Sequence, residues 1–416
     1  MGPTYDAAIK KLKEHKQTEI LPLINQFGDE EKEKIARQIE RLDFDKIGGL
    51  YDELSKQEAT SSEEIEEVKA INKEKLPQEQ LEHYNRLGKE IIKHRQYAVV
   101  TMSGGQGTRL GYDGPKGTFQ IDISPKPKFL FEILADSLKE INAQYGVTLP
   151  WYIMTSEENN DAIVDFFEEH GYFGYPKEDI TFFKQGNLPL LKENGQLMIG
   201  NKKLIKEAAD GNGGIFESMK KHGILENMKQ RGVEWIFIGS IDNVLLKLAD
   251  VTLLGLAKDS NVEIATKSIL KNSPEERVGA ICKQNGKVRV VEYSEMSEEM
   301  KHKINEEGDL AFGESHVMCN LFSLKALELL ADKKLPYHIA HKKPDYLNQD
   351  GMKVKVEQPN AFKFETFIFD AWIYFNDIAV LRGKREEDFA PVKNREGVDS
   401  PETAVILYNT YHRKMM

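Results

Sequence analysis

Apolar residues recur at helical spacing over residues 1–95, among many Lys, Glu and Gln residues. The spacing is clearest at Ile9, Leu12, Ile20, Leu23, Ile24 and Phe27. It predicts several amphipathic helices. Thr60 to Ser62, which precede a run of glutamates, are typical of a helix start. We therefore expect an N-terminal helical region without chemistry of its own.

A different pattern follows, in which short apolar runs alternate with helical stretches. The runs that predict strands lie at residues 97–102, 149–155, 179–184, 233–239 and 262–268. Alternation of this kind is typical of βαβ units, hence of an α/β domain with a mostly parallel sheet that binds ligands at its carboxyl edge. We assign this domain to residues 96–383. A short C-terminal segment, 384–416, is charged at first and then predicts a helix from Pro401 to His412.

Composition narrows the class of protein. A chain of 416 residues exceeds the usual limit of a single core, so two or three domains are expected. The net charge of -11 argues against nucleic acid or a membrane surface as a partner. Two cysteines without metal spacing fit a reduced, cytoplasmic protein with neither disulfides nor zinc. No signal peptide or membrane span is predicted.

A glycine-rich turn follows the first predicted strand, within the segment Val99 to Gln120. Gly104 and Gly105 allow a sharp turn whose N–H groups point inward, which suits phosphate oxygens. Arg109 and Lys116 could neutralise the charge of neighbouring phosphates. The segment therefore predicts a nucleotide site.

Other glycine motifs compete with this interpretation. A Walker A loop is excluded, because Lys116 is followed by glycine and lies too far along the chain. Gly105, Gly107 and Gly111 approximate a dinucleotide fingerprint, so an NADP-type oxidoreductase remains an alternative. Pro115 and the glycines around it would break the helix that this fingerprint requires. A turn that serves only the chain path also remains open.

The sequence GGQGTRLG followed by PKG is similar to the signature of the nucleotidyltransferases that make UDP-sugars. Further blocks of the eukaryotic-type UDP-sugar pyrophosphorylase family follow in order: WYIMTS at Trp151, FFKQGNLP at Phe182, DGNGG at Asp210, IDNVLLKLAD at Ile241, VGAICKQNGKVRVVEYSE at Val278, FKFETFIFD at Phe362 and DFAPVKN at Asp388. The chain most resembles the UDP-N-acetylhexosamine branch. The resemblance implies a central GT-A-like, Rossmann-like mixed sheet flanked by helices, with residues 96–383 as the catalytic domain.

The resemblance also implies a reaction. A phosphate oxygen of a sugar-1-phosphate would attack the α-phosphorus of UTP and expel pyrophosphate. The nucleophile is already an anion, so the site needs charge neutralisation, in-line positioning and Mg²⁺ rather than a base. N-acetylglucosamine-1-phosphate is the favoured sugar substrate and glucose-1-phosphate the second. A monomer or small homo-oligomer is expected, and a non-catalytic UDP-sugar sensor is the alternative from another class.

Site residues carried over from the family fall into three groups. The catalytic cations are Arg109, Lys116 and Lys363. The nucleotide-binding residues are Ser103, Gly104, Gly105, Gln185, Gly211 and Asp242, and Asp242 also binds the metal. The sugar-phosphate residues are Asn212, Gly279, Glu292, Tyr293, His316 and Lys393. The residue types fit these roles, since a glutamine amide matches the uracil edge and a carboxylate holds Mg²⁺ against phosphates.

One segment departs from the family pattern. After Phe312 the acetylhexosamine branch typically reads NAGN, whereas this chain has Gly313, Glu314, Ser315 and His316. His316 replaces the second asparagine, so it either contacts the sugar or is a core or solvent-exposed histidine. The identity of the hexose, and whether it is N-acetylated, therefore stays open.

Overall fold

A computed structural model describes residues 5–54 and 65–415. Its helices are α1 Tyr5–Glu14, α2 Leu21–Ile24, α3 Asp29–Arg41, α4 Phe44–Leu54, α5 Gln78–Lys93, α6 Leu130–Tyr145, α7 Asn160–Glu169, α8 Ile215–Lys221, α9 Ile224–Gln230, α10 Val251–Asp259, α11 Glu298–His302, α12 Leu324–Leu330, α13 Arg385–Asp388 and α14 Pro401–Met415. The helix start predicted at Thr60 to Ser62 lies outside the described residues.

The strands are numbered in the same way. They are β1 Ile65–Glu67, β2 Ile71–Asn72, β3 Tyr97–Met102, β4 Gln120–Ile121, β5 Lys128–Phe129, β6 Trp151–Thr155, β7 Ile180–Lys184, β8 Asn187–Pro189, β9 Leu191–Lys192, β10 Glu207–Ala209, β11 Trp235–Ser240, β12 Ile264–Leu270, β13 Ala280–Gln284, β14 Lys287–Val291, β15 Glu314–Ser323, β16 His338–Lys342, β17 Tyr346–Leu347, β18 Lys353–Val354, β19 Ala361–Glu365 and β20 Ala379–Arg382.

The chain divides into two compact units, each assembled from three segments. The first unit comprises Met1–Ser62, Gly186–Gly214 and Leu335–Phe367, and the second comprises Glu63–Gln185, Ile215–Lys334 and Ile368–Met416. The linear division at residues 95 and 383 stays a prediction.

The first unit combines helices α1 to α4 with small antiparallel sheets, among them β16, β19 and β9. Leu12, Leu23, Ile24 and Phe27, which have the helical spacing noted in the sequence, are buried in its core. Helix α3 begins with three acidic residues, which interact favourably with the positive end of the helix dipole. Burial of one apolar face therefore holds these helices in place.

The second unit is built on a mixed sheet with the strand order β2, β20, β12, β15, β11, β3, β6, β7. Neighbours along this path are parallel, except that β15 is antiparallel to both β12 and β11. The prediction of an α/β fold with a mixed, mostly parallel sheet is confirmed. The five apolar runs correspond to β3, β6, β7, β11 and β12, whereas β1 and β2 lie in the stretch predicted to be helical.

Two central strands bring the predicted nucleotide residues to one edge of this sheet. Every residue of β3 is buried, as expected of a parallel strand covered on both faces. Strand β11 runs parallel to β3, with Ser240 opposite Met102 at the carboxyl ends. Both strands end at the same edge of the sheet. The glycine-rich turn follows Met102, and Asp242 follows Ser240, so the turn and Asp242 lie beside each other at that edge.

A β-bulge interrupts the pairing of β12 with β15. Thr266 lies opposite Asn320, but Ser268 already lies opposite His316, so one residue of β12 faces three of β15. Met318, inside the bulge, has a φ of 54°, a left-handed conformation that is uncommon for a residue with a side chain. A bulge of this kind bends a strand locally, and here it directly follows His316.

Candidate active site

Backbone hydrogen bonds fold the glycine-rich turn back on itself. The N–H of Lys116 donates to the carbonyl of Gly105 over 3.1 Å, and the N–H of Gly107 donates to that of Gly114 over 2.9 Å. Within this fully described stretch no α-helix follows the turn, since α6 begins only at Leu130. A dinucleotide-binding turn requires a helix at that place, so the fold argues against the oxidoreductase alternative.

Ser103, Gly104 and Gly105 differ in what they offer to a ligand. The N–H and the hydroxyl of Ser103 both donate to the carbonyl of Met154, over 2.8 and 3.1 Å. The hydroxyl proton is therefore already used in a hydrogen bond to β6. A Cβ on Gly104 would lie 2.8 Å from the side-chain amide of Gln185, so this glutamine lies against the turn. A Cβ on Gly105 would meet no atom within 4 Å, which leaves the turn open there.

The carboxylate of Asp242 has both oxygens engaged. Oδ2 accepts a hydrogen bond from Nζ of Lys116 over 3.1 Å, and Oδ1 accepts one from Oγ of Ser240 over 2.7 Å. Burial opposes ionisation of Asp242, but the ammonium groups of Lys116 and Lys393 and these two hydrogen bonds outweigh it and lower the pKa of the carboxyl. Asp242 is therefore ionised and carries the negative charge that a cation needs.

The segment from Asp388 to Lys393 is held beside Asp242 by hydrogen bonds. The N–H of Val392 donates to the carbonyl of Asp242 over 2.8 Å. The side chain of Asn243 donates to the carbonyl of Asp388 over 2.7 Å and accepts from the N–H of Ala390 over 2.8 Å. Lys393 is thereby fixed close enough to Asp242 to act on its pKa.

A buried ion cluster lies behind this segment. Nζ of Lys267 is 2.5 Å from Oδ2 of Asp250 and 2.7 Å from Oδ1 of Asp388, with all three side chains at most 3% exposed. Burial lowers the pKa of Lys267, but the two carboxylates more than offset this and raise it. The cluster ties β12, the start of α10 and the end of α13 together.

Asp242, His316 and Lys393 line one cavity of about 140 Å³. Ser315, whose buried hydroxyl has no hydrogen-bond partner in the described part of the chain, lines the same cavity. The structure therefore brings the predicted metal residue and two of the predicted sugar-phosphate residues to one place.

His316 is held by polar and aromatic contacts. Its Nε2 donates to Oδ1 of Asn320 over 2.9 Å, and its ring packs edge-on against Phe369 and Trp372, with centroids 5.6 and 5.3 Å away. Burial lowers the pKa of His316 to about 4, because desolvation disfavours the charged form. The imidazole is therefore neutral at pH 7.

Gly279 lies next to His316, just before β13, and Glu292 lies close to Gly279, just after β14. The carbonyl of Gly279 accepts the N–H of His316 over 3.0 Å, and a Cβ on Gly279 would lie 3.3 Å from the carboxylate of Glu292. The ring of Tyr293 contacts the ammonium of Lys301, 4.2 Å from the centroid. Gly279 therefore links His316 with Glu292, and Tyr293 follows Glu292 directly in the chain.

Three predicted site residues, Gly211, Asn212 and Lys363, belong to the first unit. Gly211 has a φ of 89°, and a Cβ on it would lie 2.3 Å from the carbonyl oxygen of Thr366, so the position requires glycine. Asn212 begins a short 3-10 turn. Nζ of Lys363 pairs with Oε1 of Glu365 over 2.7 Å.

Two polar residues support the site without having been predicted. Ser240 donates to Asp242, and Nδ2 of Asn159 donates to the carbonyl of Ser103 over 3.1 Å. A serine that ends an apolar strand two residues before a candidate metal ligand was a usable signal. The sequence offered no signal for Asn159, because its contact joins residues 56 positions apart.

A divalent cation fits the residues around Asp242 in one particular way. Among the described residues, no cluster of three or more His, Cys, Asp and Glu side chains could hold a metal. Mg²⁺ in phosphate sites is commonly held by one or two carboxylates together with phosphate oxygens of the substrate. The single Asp242 carboxylate thus fits a cation that arrives with a triphosphate.

Comparisons with known proteins identify the family of the chain. The UTP–glucose-1-phosphate uridylyltransferase family, UDPGP, matches residues 46–411. The chain is 33% identical over 432 residues to UDP-N-acetylglucosamine diphosphorylase 2 of Arabidopsis thaliana, covering 99% of this chain and 84% of that protein. It is 37% identical over 337 residues to UDP-N-acetylglucosamine pyrophosphorylase of Saccharomyces cerevisiae, covering 78% and 70%.

Solved structures show the same relationship. The crystal structure of the uridine diphosphate N-acetylglucosamine pyrophosphorylase from Trypanosoma brucei, in complex with an inhibitor, matches with a TM-score of 0.82 at 27% identity and covers 99% of this chain and 85% of that one. The fold and these relatives thus define a nucleotidyltransferase.

The chain belongs to the UTP–glucose-1-phosphate uridylyltransferase family. The predicted activity, uridylyl transfer from UTP to a sugar-1-phosphate, is confirmed, and enzymes of this type generally need a divalent metal. In the described part of the chain, every helix is too short or too polar to cross a membrane.

Proposed function

We propose that this enzyme makes UDP-N-acetylglucosamine and pyrophosphate from UTP and N-acetylglucosamine-1-phosphate, with Mg²⁺ as the metal. The observation that carries the proposal is the convergence of Lys116, Ser240 and Asp242 at the carboxyl ends of β3 and β11. The names of the Arabidopsis and yeast relatives support the choice of sugar.

The chemistry balances without a proton transfer. A phosphate oxygen of the sugar-1-phosphate forms a bond to the α-phosphorus of UTP, and the bond from that phosphorus to the bridging oxygen breaks, which releases pyrophosphate. Mg²⁺, when bound, neutralises phosphate charge. Arg109 and Lys116 offset the remaining negative charge, and Asp242 holds the cation.

Binding roles are divided between the two substrates. We propose that the turn at Ser103 to Gly105 contacts the nucleotide phosphates and that Gln185, which lies against Gly104, orients the uracil. Lys393 and the neighbourhood of Gly279, Glu292, Tyr293 and His316 would bind the sugar phosphate. From the family resemblance we further propose that Gly211 binds the nucleotide, that Asn212 binds the sugar phosphate and that Lys363 is a catalytic cation.

One observation favours a second candidate, glucose-1-phosphate. His316 is a neutral ring packed against aromatic side chains, where the acetylhexosamine branch has an asparagine. A histidine has no amide group to pair with an acetamido group, so we expect weaker selection for the N-acetyl sugar. This second candidate concerns the sugar alone and leaves the uridylyl transfer unchanged.

The decisive experiment measures pyrophosphate release from UTP with a panel of hexose-1-phosphates. We expect the highest kcat/KM with N-acetylglucosamine-1-phosphate, and loss of activity with a chelator that Mg²⁺ restores. UTP alone and CTP with the same sugars are the controls. Turnover confined to glucose- and galactose-1-phosphate would overturn the choice of sugar, and no turnover with any sugar would overturn the proposal as a whole.

We also propose a monomer or small homo-oligomer in the cytoplasm. Cys282 and Cys319 are free and buried, which supports a reducing compartment. Light scattering of the purified protein tests the first part, and fractionation of the source cells tests the second.

A further inference from the structure

We propose that the ammonium of Lys116 pairs with the metal-binding carboxylate of Asp242, in the place of the metal, until the cation and the triphosphate bind. The side chain of Lys116 then moves and pairs with the phosphates instead. In this state Lys116 acts as a placeholder for the metal. The inference rests on the proposed function, because it takes Asp242 to be the metal ligand.

The hydrogen bonds of Asp242 decide which partner has to leave. Ser240 donates to Oδ1, and a carboxylate oxygen keeps a further lone pair for a cation. Lys116 is different, because its positive charge lies 3.1 Å from Oδ2. An ammonium and a divalent cation on one carboxylate repel each other strongly at such distances. Cation binding therefore displaces Lys116 and can leave Ser240 in place.

The local structure allows the side chain of Lys116 to move while its backbone stays fixed. Its N–H is bonded to the carbonyl of Gly105, and a Cβ on the next residue, Gly117, would lie 2.2 Å from the ring of Phe131, so the backbone is packed tightly against α6. The four-carbon stem of a lysine is flexible. A displaced ammonium thus stays near Gly105, where the turn is open to a ligand.

This arrangement couples the binding of the metal to that of the nucleotide. Without a triphosphate, a cation that displaces Lys116 leaves the ammonium without its negative partner. With a triphosphate, the ammonium gains phosphate oxygens in exchange. The two ligands therefore bind with positive cooperativity, and coupling of this kind is reciprocal. Removal of the charge on Lys116 strengthens metal binding in the absence of nucleotide.

Mn²⁺ binding without nucleotide, followed by the paramagnetic resonance signal of the free ion, tests the inference. We expect Lys116→Met to bind Mn²⁺ at least about tenfold more tightly than the unmodified protein, and Lys116→Arg, which keeps the charge, to show no gain. Lys128→Met is the matched control, since Lys128 pairs with Asp136 in the same unit and is similarly buried, 18% exposed against 15% for Lys116.

The double variant Lys116→Met with Asp242→Asn should lose the gained affinity. A gain that persists in the double variant would place the Mn²⁺ elsewhere and remove the proposed role of Asp242. If Lys116→Met and the unmodified protein bind Mn²⁺ equally, or if neither binds it, the placeholder role is overturned. The proposed function stands in that case, provided that the unmodified protein transfers uridylyl groups. An inactive unmodified protein would overturn the proposed function itself.

Discussion

The nucleotide side and the sugar side of this site are built in different ways. We use "nucleotide side" for the turn from Ser103 to Lys116 with Gln185, Ser240 and Asp242, and "sugar side" for Gly279, Glu292, Tyr293 and His316. The nucleotide side contains a pair of opposite full charges, Lys116 with Asp242. The sugar side presents a neutral histidine among aromatic rings.

The difference follows from what each side binds. A triphosphate carries a large fixed charge, so its site needs cationic side chains and a carboxylate for the metal. Few residue types can fill these two roles. A hexose is neutral and is recognised by shape and single hydrogen bonds, which many side chains can supply. The nucleotide side can therefore match a family motif while the sugar side departs from it at His316.

The largest effect expected is that of Asp242→Asn. If the nucleotide side depends on a charged metal ligand, kcat/KM for pyrophosphate release should fall about a thousandfold, because the amide cannot neutralise the cation. Asp136→Asn, at a lysine-paired aspartate in the same unit, is the control and should stay near the unmodified rate. A loss of less than tenfold in Asp242→Asn would contradict the proposed role.

The sugar side can be tested through the effect of pH on stability. The pKa of His316 is about 4 in the folded protein and about 6.5 in the unfolded chain, so from pH 6.5 down to pH 4 the unfolded chain binds a proton that the folded protein does not. Stability therefore falls as the pH decreases, by about 2 kcal/mol at pH 5 from this group. Urea unfolding of His316→Gln and the unmodified protein at pH 7 and pH 5 measures the difference, and identical pH dependence would show that His316 is not held neutral.

Loss of a cation from the nucleotide side should have a smaller effect than loss of the carboxylate. Arg109→Ala, and likewise Lys116→Ala, should lower turnover at least about tenfold, because phosphate charge is then less well neutralised. Arg86→Ala, an exposed arginine on α5, is the control. Unchanged rates in both site variants would remove the turn from the mechanism.

The smallest effect expected concerns the choice of sugar. His316→Asn restores the amide found in the acetylhexosamine branch, and we expect it to raise the preference for N-acetylglucosamine-1-phosphate over glucose-1-phosphate about fivefold, the value of a single hydrogen bond. The ratio of the two kcat/KM values measures it, with His94→Asn, at the exposed end of α5, as control. A ratio that does not move, or that falls, would mean that His316 does not contact the sugar.

The sequence predicted the parts of this molecule that depend on local pattern. The run at residues 97–102 coincides with β3, since a buried parallel strand is apolar throughout. The run at residues 233–239 corresponds to β11, so the sequence also located Asp242 just after the carboxyl end of a strand. The roles proposed for the individual site residues stay predictions.

Contacts between distant residues escaped prediction. The run at residues 262–268 is a strand as expected, but the burial of Lys267 within it depends on Asp250 and Asp388, one of them 121 positions away. The bulge at Met318 depends likewise on how β12 and β15 pair. The periodicity of apolar residues contains no information about partners that are distant in sequence. Neither the ion cluster at Lys267 nor the bulge at Met318 could therefore be predicted from it.

The buried cluster around Lys267 limits how this chain can be shortened or divided. Asp388 contributes one of the two carboxylates beside Lys267, and its backbone carbonyl anchors Asn243. A recombinant protein that ended at residue 383 would keep every strand of the large sheet, yet it would leave a lysine in the interior with half of its counter-charge missing. For anyone who designs expression fragments or split reporters from this enzyme, Asp388 marks a limit that strand boundaries alone do not reveal.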